Sequence, residues 1–202
     1  MVDEQKTVSL IPAAHYAALG RVSDTWADLE FAIDHAIWAL LNIPQALGAC
    51  VTSQMVSIHP RNKALMSLLN LFDIDDHLTK DLSSVLGRAA GLSEIRNRLI
   101  HDKRLVRART GEVVRFEVNA KNNLIFTDQS ESVKDLEEFT TKIESIILAF
   151  DKVWTKIDSA LHTSGGKLRG KLPQLARLPR GQGSIQLGDS KIPQPPPEPS
   201  HE

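Results

Sequence analysis

Nine consecutive residues carry groups suited to joint work on a phosphate: Glu94-Ile95-Arg96-Asn97-Arg98-Leu99-Ile100-His101-Asp102. A histidine titrates near pH ~6.5, so it can take or give a proton at neutral pH. A guanidinium is permanently charged and grips phosphate through two donors. Cleaving RNA without a metal needs such groups: a base for the 2′-hydroxyl proton, an acid for the leaving oxygen, and a cation where negative charge builds. Spacing supports half of this. Asn97 and His101 are four apart and share a helix face. Arg96 and His101 are five apart and diverge by about 140° in an ideal helix. The two converge on one phosphate only if the helix ends or bends at His101, or if they come from different chains.

The run Arg-Asn-x-x-x-His from Arg96 to His101 resembles the signature of the HEPN superfamily, all-helical bundles that include many metal-independent ribonucleases of bacterial toxin and defence systems. In that family the motif lies late in a helix of a four- or five-helix bundle, and a long helix follows. The resemblance stretches over about Ile11 to His162, with the motif as its specific part and a β-insert as a departure from a minimal bundle. It implies that His101 is the catalytic imidazole, Arg96 the phosphate-binding cation and Asn97 the group that orients the pair, with no cofactor. One histidine cannot easily be base and acid at once. The family's usual answer is a cleft shared at a two-fold interface, which implies a homodimer. RNA as substrate and a cognate antitoxin as protein partner follow from the same resemblance.

The same residues also suit a structural role. Arg96 could pair inside the bundle with Glu30 or Asp34 of the first helix, Asn97 could cap or bridge helices, and His101 complements a helix C-terminus. Glu94 and Arg98 would then be an ordinary surface pair. Around the motif stand Arg96, Arg98, Lys103, Arg104, Arg107, Arg109 and Arg115, with Glu94, Asp102 and Glu112 the nearest acids. In a chain of net charge −1 this is a local basic ribbon, and it nominates Arg98, Lys103, Arg104, Arg107 and Arg109 for RNA contacts. Its alternative is a solvated hairpin face whose charges discourage edge-to-edge pairing. His15, His35, His59, His77 and His162 show no metal-ligand spacing, so no metal site is legible. His59 with Arg61-Asn62 has the motif's composition in the wrong order beside Pro60, and is set aside. There is no Gly-x-Gly-x-x-Gly, P-loop or Gly-x-Ser-x-Gly to support nucleotide hydrolysis or a serine hydrolase.

Helices must hold most of these residues. From Ile11 to Leu41, Leu29, Ile33, Ile37, Leu40 and Leu41 recur at helical spacing, and Pro44 closes the segment. Trp26, Phe31 and Trp38 fall outside that stripe, on a surface that the core alone or the core and a partner chain would bury. A second stretch covers Gln45 to Val56. Pro60 suits the first turn of the next helix, which carries Ala64, Leu65, Leu68, Leu69 and Phe72. Asp75 and Asp76 then favour the start of a helix from His77 to His101, with Leu78, Leu82, Val85, Ala89, Leu92, Ile95 and Leu99 at core spacing. From Lys103 the period becomes β-like. Turns at Thr110-Gly111 and Lys121-Asn122-Asn123 mark a small antiparallel hairpin or meander over about 103–128. A last helix runs from Ser132 to His162, opened by a loose Ser132-x-x-Asp135 capping box.

The expected fold is therefore mainly α: a HEPN-like bundle of four to five helices over 1–164 with the β-insert, then a disordered tail over 165–202 that is basic first and Pro-rich after. Of 202 residues 42% are hydrophobic and 24% charged, which suits one folded domain. Cys50, the single cysteine, excludes an internal disulfide and reads as a small buried hydrophobe. No apolar run approaches the roughly 20 residues that span a bilayer, and Met1 to Lys6 is polar, so a soluble cytoplasmic protein without membrane contact is expected. The Pro195-Pro196-Pro197 run could dock on a partner's aromatic groove. A rival function follows: a non-catalytic helical dimerisation or adaptor module whose Pro-rich tail recruits a partner.

Overall fold

Apolar residues return every three or four positions along the first helix, α1 (Ala13–Leu41), and bury Val22, Trp26, Leu29, Ile33 and Ile37 in the centre of the molecule. These positions come from a computed structural model in which the described residues are 11–119 and 125–166. Asn42 ends α1 in the left-handed conformation and donates its N–H to the Ala39 carbonyl, while the Ile43 N–H returns to the Trp38 carbonyl. The second helix, α2 (Gln45–Thr52), stops one turn short of the expected Val56. Thr52 is its last residue, and its hydroxyl bonds the Gly48 carbonyl and takes the Trp38 indole N–H, both at 3.3 Å. Gly48 lies flat against the Trp38 ring, and a Cβ there would overlap the ring.

Helix α3 (Ile58–Leu69) carries Pro60 in its first turn, as its sequence predicts, and buries Ile58, Leu65 and Leu69. The motif helix, α4 (Asp76–His101), opens on Asp75, whose carboxylate accepts the His77 N–H at 2.7 Å. Three strands follow as an antiparallel meander: β1 (Lys103–Val106), β2 (Val113–Asn119) and β3 (Ile125–Ser130), with Lys103 opposite Phe116 and Val114 opposite Ser130. Gly111, at φ 70°, makes the turn between β1 and β2. The expected turn at Lys121–Asn123 lies outside the described residues. Helix α5 (Val133–Ser164) opens on a full reciprocal capping box, Ser132 with Asp135.

The core lies where α1, α3, α4 and α5 meet, with α2 against α1. Leu136, Phe139, Ile143, Ile146, Phe150 and Ile157 of α5 supply one wall. The sheet joins this bundle through charge. Glu131, 5% exposed between β3 and α5, accepts from His15 Nε2 at 2.8 Å, Arg104 Nε at 2.5 Å and Arg115 Nη1 at 3.2 Å. Arg104 also donates to the carbonyls of Leu99 and Asp102 at the end of α4.

Trp26 and Trp38 are buried in the core, one of the two outcomes left open for them, because the buried side of α1 is broader than one stripe; Phe31 is 51% exposed. Two expectations need correction. Ile95 is 46% exposed rather than core. The inner face of α4 runs through Leu82, Val85, Leu86, Ala89 and Leu99, and Arg96, three before Leu99, takes the inward phase in place of Ile95. Cys50 is exposed, since α2 turns only Gly48 and Thr52 fully inward. The tail expected to be disordered lies, from residue 167 on, outside the described residues. Among the described residues no helix is long and apolar enough to cross a membrane.

Candidate functional site

The last turns of α4 face α1 and the start of α3 across a cleft of about 730 Å³. Arg96 forms part of its floor because of its phase on α4. Its guanidinium carbon sits 5.7 Å from the centroid of the Trp26 ring, and its Nη1 donates to Asn97 Oδ1 at 3.1 Å. Such a cation–π contact contributes roughly 0.5–2 kcal/mol, depending on desolvation. Arg96 Nε is buried without a hydrogen-bond partner. Neither carboxylate that could have neutralised Arg96 does so. Asp34 accepts from Arg61 Nε at 2.9 Å, and Glu30 lies 3.8 Å from the same guanidinium. Arg61 reaches them from α3, a pairing that helix-by-helix reading of the sequence could not supply.

Ser93, Asn97 and His101 follow at four-residue spacing and make one stripe along α4. All three line the cleft, and His101, the last residue of the helix, is exposed. His59, in the first turn of α3, lines the same cleft from the opposite side, with Nε2 3.3 Å from Ser93 Oγ. The sequence set this histidine aside. No local signal marks it, because only the packing of α3 on α4 brings residues 59 and 93 together. Asn62 supports that packing by donating to the Leu86 carbonyl at 3.0 Å. The cleft is electrically mixed: Glu30, Glu94 and Asp102 face it along with Arg96 and Arg98.

The basic ribbon is mostly spent within the molecule. Arg98 pairs with Glu117 at 3.0 Å and lies 3.7 Å from Glu94. Arg107 pairs with Glu112 at 2.7 Å and Asp128 at 2.5 Å. Its direct hydrogen bond and its charge hold the Asp128 carboxyl below the ordinary carboxylate range. Arg104 is committed to Glu131, and Arg115 lies against Glu117, Glu131 and Asp102. Lys103 and Arg109 are exposed and outside these pairs. Three of the neutralising acids, Glu117, Asp128 and Glu131, lie later in the chain than the ribbon, and strand pairing brings them back across it. Of the residues nominated by sequence, Arg96, Asn97, Arg98 and His101 share the cleft; Lys103, Arg104, Arg107 and Arg109 are not part of its lining. Among the described residues no group of three or more His, Cys, Asp or Glu side chains could hold a metal ion. No family model, curated protein or solved structure matches the chain.

Proposed function

We propose that the protein binds RNA in the cleft at the end of α4 and cleaves it without a metal, as the resemblance of the Arg96–His101 motif to HEPN ribonucleases implies. Arg96 holds the phosphate, Asn97 orients the guanidinium, and His101 moves a proton. One observation carries this function: Arg96 lies on Trp26 without a carboxylate partner and opens, with exposed His101, onto the same cleft. An arginine kept only for the fold would be expected to be paired, as Arg61 and Arg104 are. Fixing a cation beside a developing phosphate charge in a half-enclosed site is an efficient way to lower a barrier.

RNA incubated with the protein in EDTA tests this directly. Wild type should cleave, and His101→Ala should lose at least ~10²-fold in rate, the usual worth of one positioned proton carrier. Cleavage that persists unchanged in the variant sinks the assignment. A toxin role with an antitoxin partner rests on the same resemblance and stands or falls with this activity.

The rival adaptor function has one observation of its own. The arginines of the sheet are neutralised by Glu112, Glu117, Asp128 and Glu131, so the ribbon offers little free charge to an RNA backbone. A protein that neither cleaves nor shifts RNA, while its motif variants unfold, would fit that function. Homodimerisation belongs to both proposals, and of the three aromatics that suggested it only Phe31 remains exposed.

A further inference from the structure

The cleft holds a second imidazole on the same chain. We propose that His59 is the other proton carrier of the reaction, so that one chain holds both the base and the acid; this rests on the RNA-cleaving function proposed above. Three observations carry the assignment. His59 and His101 both line the cleft, from α3 and from the end of α4. Both are exposed, so an incoming phosphodiester could reach them. Between them runs the Ser93–Asn97–His101 stripe, which fixes their separation.

His59 Nε2 is tied to Ser93 Oγ at 3.3 Å, and Ser93 lies eight residues before His101, about 12 Å along the helix axis. Arg96 and Asn97 line the cleft between these two positions, so a phosphodiester lying along the stripe would pass both on its way from one imidazole to the other. The Ser93 hydroxyl has one proton, and it goes to the Ala90 carbonyl at 2.8 Å. Its oxygen therefore accepts from His59 Nε2, which leaves His59 Nδ1 to exchange a proton with substrate.

The step balances without a further reactant. The neutral imidazole takes the proton of a ribose 2′-hydroxyl as that oxygen bonds to the adjacent phosphorus. The bond from phosphorus to the 5′-oxygen of the next nucleotide breaks, and the other imidazole, entering protonated, gives that oxygen its proton. The products are a 2′,3′-cyclic phosphate and a 5′-hydroxyl, and the two histidines end with their charges exchanged. Arg96 faces the phosphorus throughout. The other charged groups around the cleft are Glu30 from α1 and Glu94, Arg98 and Asp102 from α4.

The test compares wild type, His101→Ala, His59→Ala and His59→Gln on a labelled oligoribonucleotide in EDTA, with kcat/KM followed against pH. The glutamine can keep the hydrogen bond to Ser93 but cannot titrate, which separates proton transfer from support of the helix pair. Wild type should give a bell-shaped profile, and both His59 variants should lose one limb of it and ~10²-fold or more in kcat/KM. Binding of a 2′-deoxy analogue should stay within about twofold, as expected when an interaction made only in the transition state is removed. Mixing His59→Ala with His101→Ala should restore nothing, since each chain lacks half of its own site. If wild type cleaves and His101→Ala does not, while both His59 variants stay within twofold, His59 is overturned and the function above survives. Recovery of activity on mixing would instead put the pair on two chains and overturn the one-chain site. A wild type that leaves RNA intact removes the function and this assignment together.

Discussion

The ring of Trp38 and the missing side chain of Gly48 show how closely single atoms are fitted beside α1. The ring N–H is fixed by Thr52, and the ring face is covered by the Gly48 backbone, so neither is free to retreat. An alanine at 48 would favour the helix by about 1 kcal/mol over glycine. Overlap with a buried ring costs about 1–3 kcal/mol, so the net effect should be a loss. Gly48→Ala is therefore expected to lower the melting temperature; a rise would mean that α2 moves off Trp38 at no cost. The same care with phase explains Arg96. Its position on α4 reads as the edge of the Leu92, Ile95 and Leu99 stripe. The bundle turns Ile95 out and Arg96 in, a rotation too small for periodicity alone to decide.

At the scale of elements, helix α5 depends on its first turn. The Ser132 hydroxyl and then its backbone N–H hold the Asp135 carboxyl below its ordinary value. A carboxylate lowered in the folded state adds stability that is fully present above the unfolded value of ~4, and is lost as pH falls through the folded one. Asp135→Asn should therefore destabilise by about 0.5 kcal/mol near pH ~7, since solvent screens this exposed carboxylate, and by less near pH ~2, read from thermal melts at the two values. An equal loss at both would mean the charge is irrelevant. This cap was legible in four residues, and so were the long helices, because their stripes and stop signals are local. Contacts between elements were not. The partner of Asp34 is on α3, Asp128 reaches Arg107 from β3, and His59 meets Ser93 only once two helices have packed.

Over the whole molecule, two faces can be told apart by one substitution. Phe31 stands exposed on α1 with the ring of His35 4.3 Å away, and the proposed homodimer would use this face. A homodimer there would bury on the order of 1,200–2,000 Å². Light scattering at micromolar concentration should find a dimer for wild type and a monomer for Phe31→Glu, and that monomer should keep its full rate per chain if both histidines act within one. A wild-type monomer would remove the dimer and leave the one-chain cleft untouched. Glu131 acts on a longer range still. It ties His15, near the start of the fold, to Arg104 and Arg115 on the first two strands. Removing it leaves the buried Arg104 guanidinium without a carboxylate, while Arg115 keeps Glu117 and Asp102, and Glu131→Ala should cost about 3–5 kcal/mol in a denaturant melt. The clamp also couples the sheet to the bundle in time. With it intact, amide exchange in β1 should slow in step with that of α1, one cooperative unit opening all at once. With it gone, the strands should exchange early while the helices hold, and a single transition should split into two.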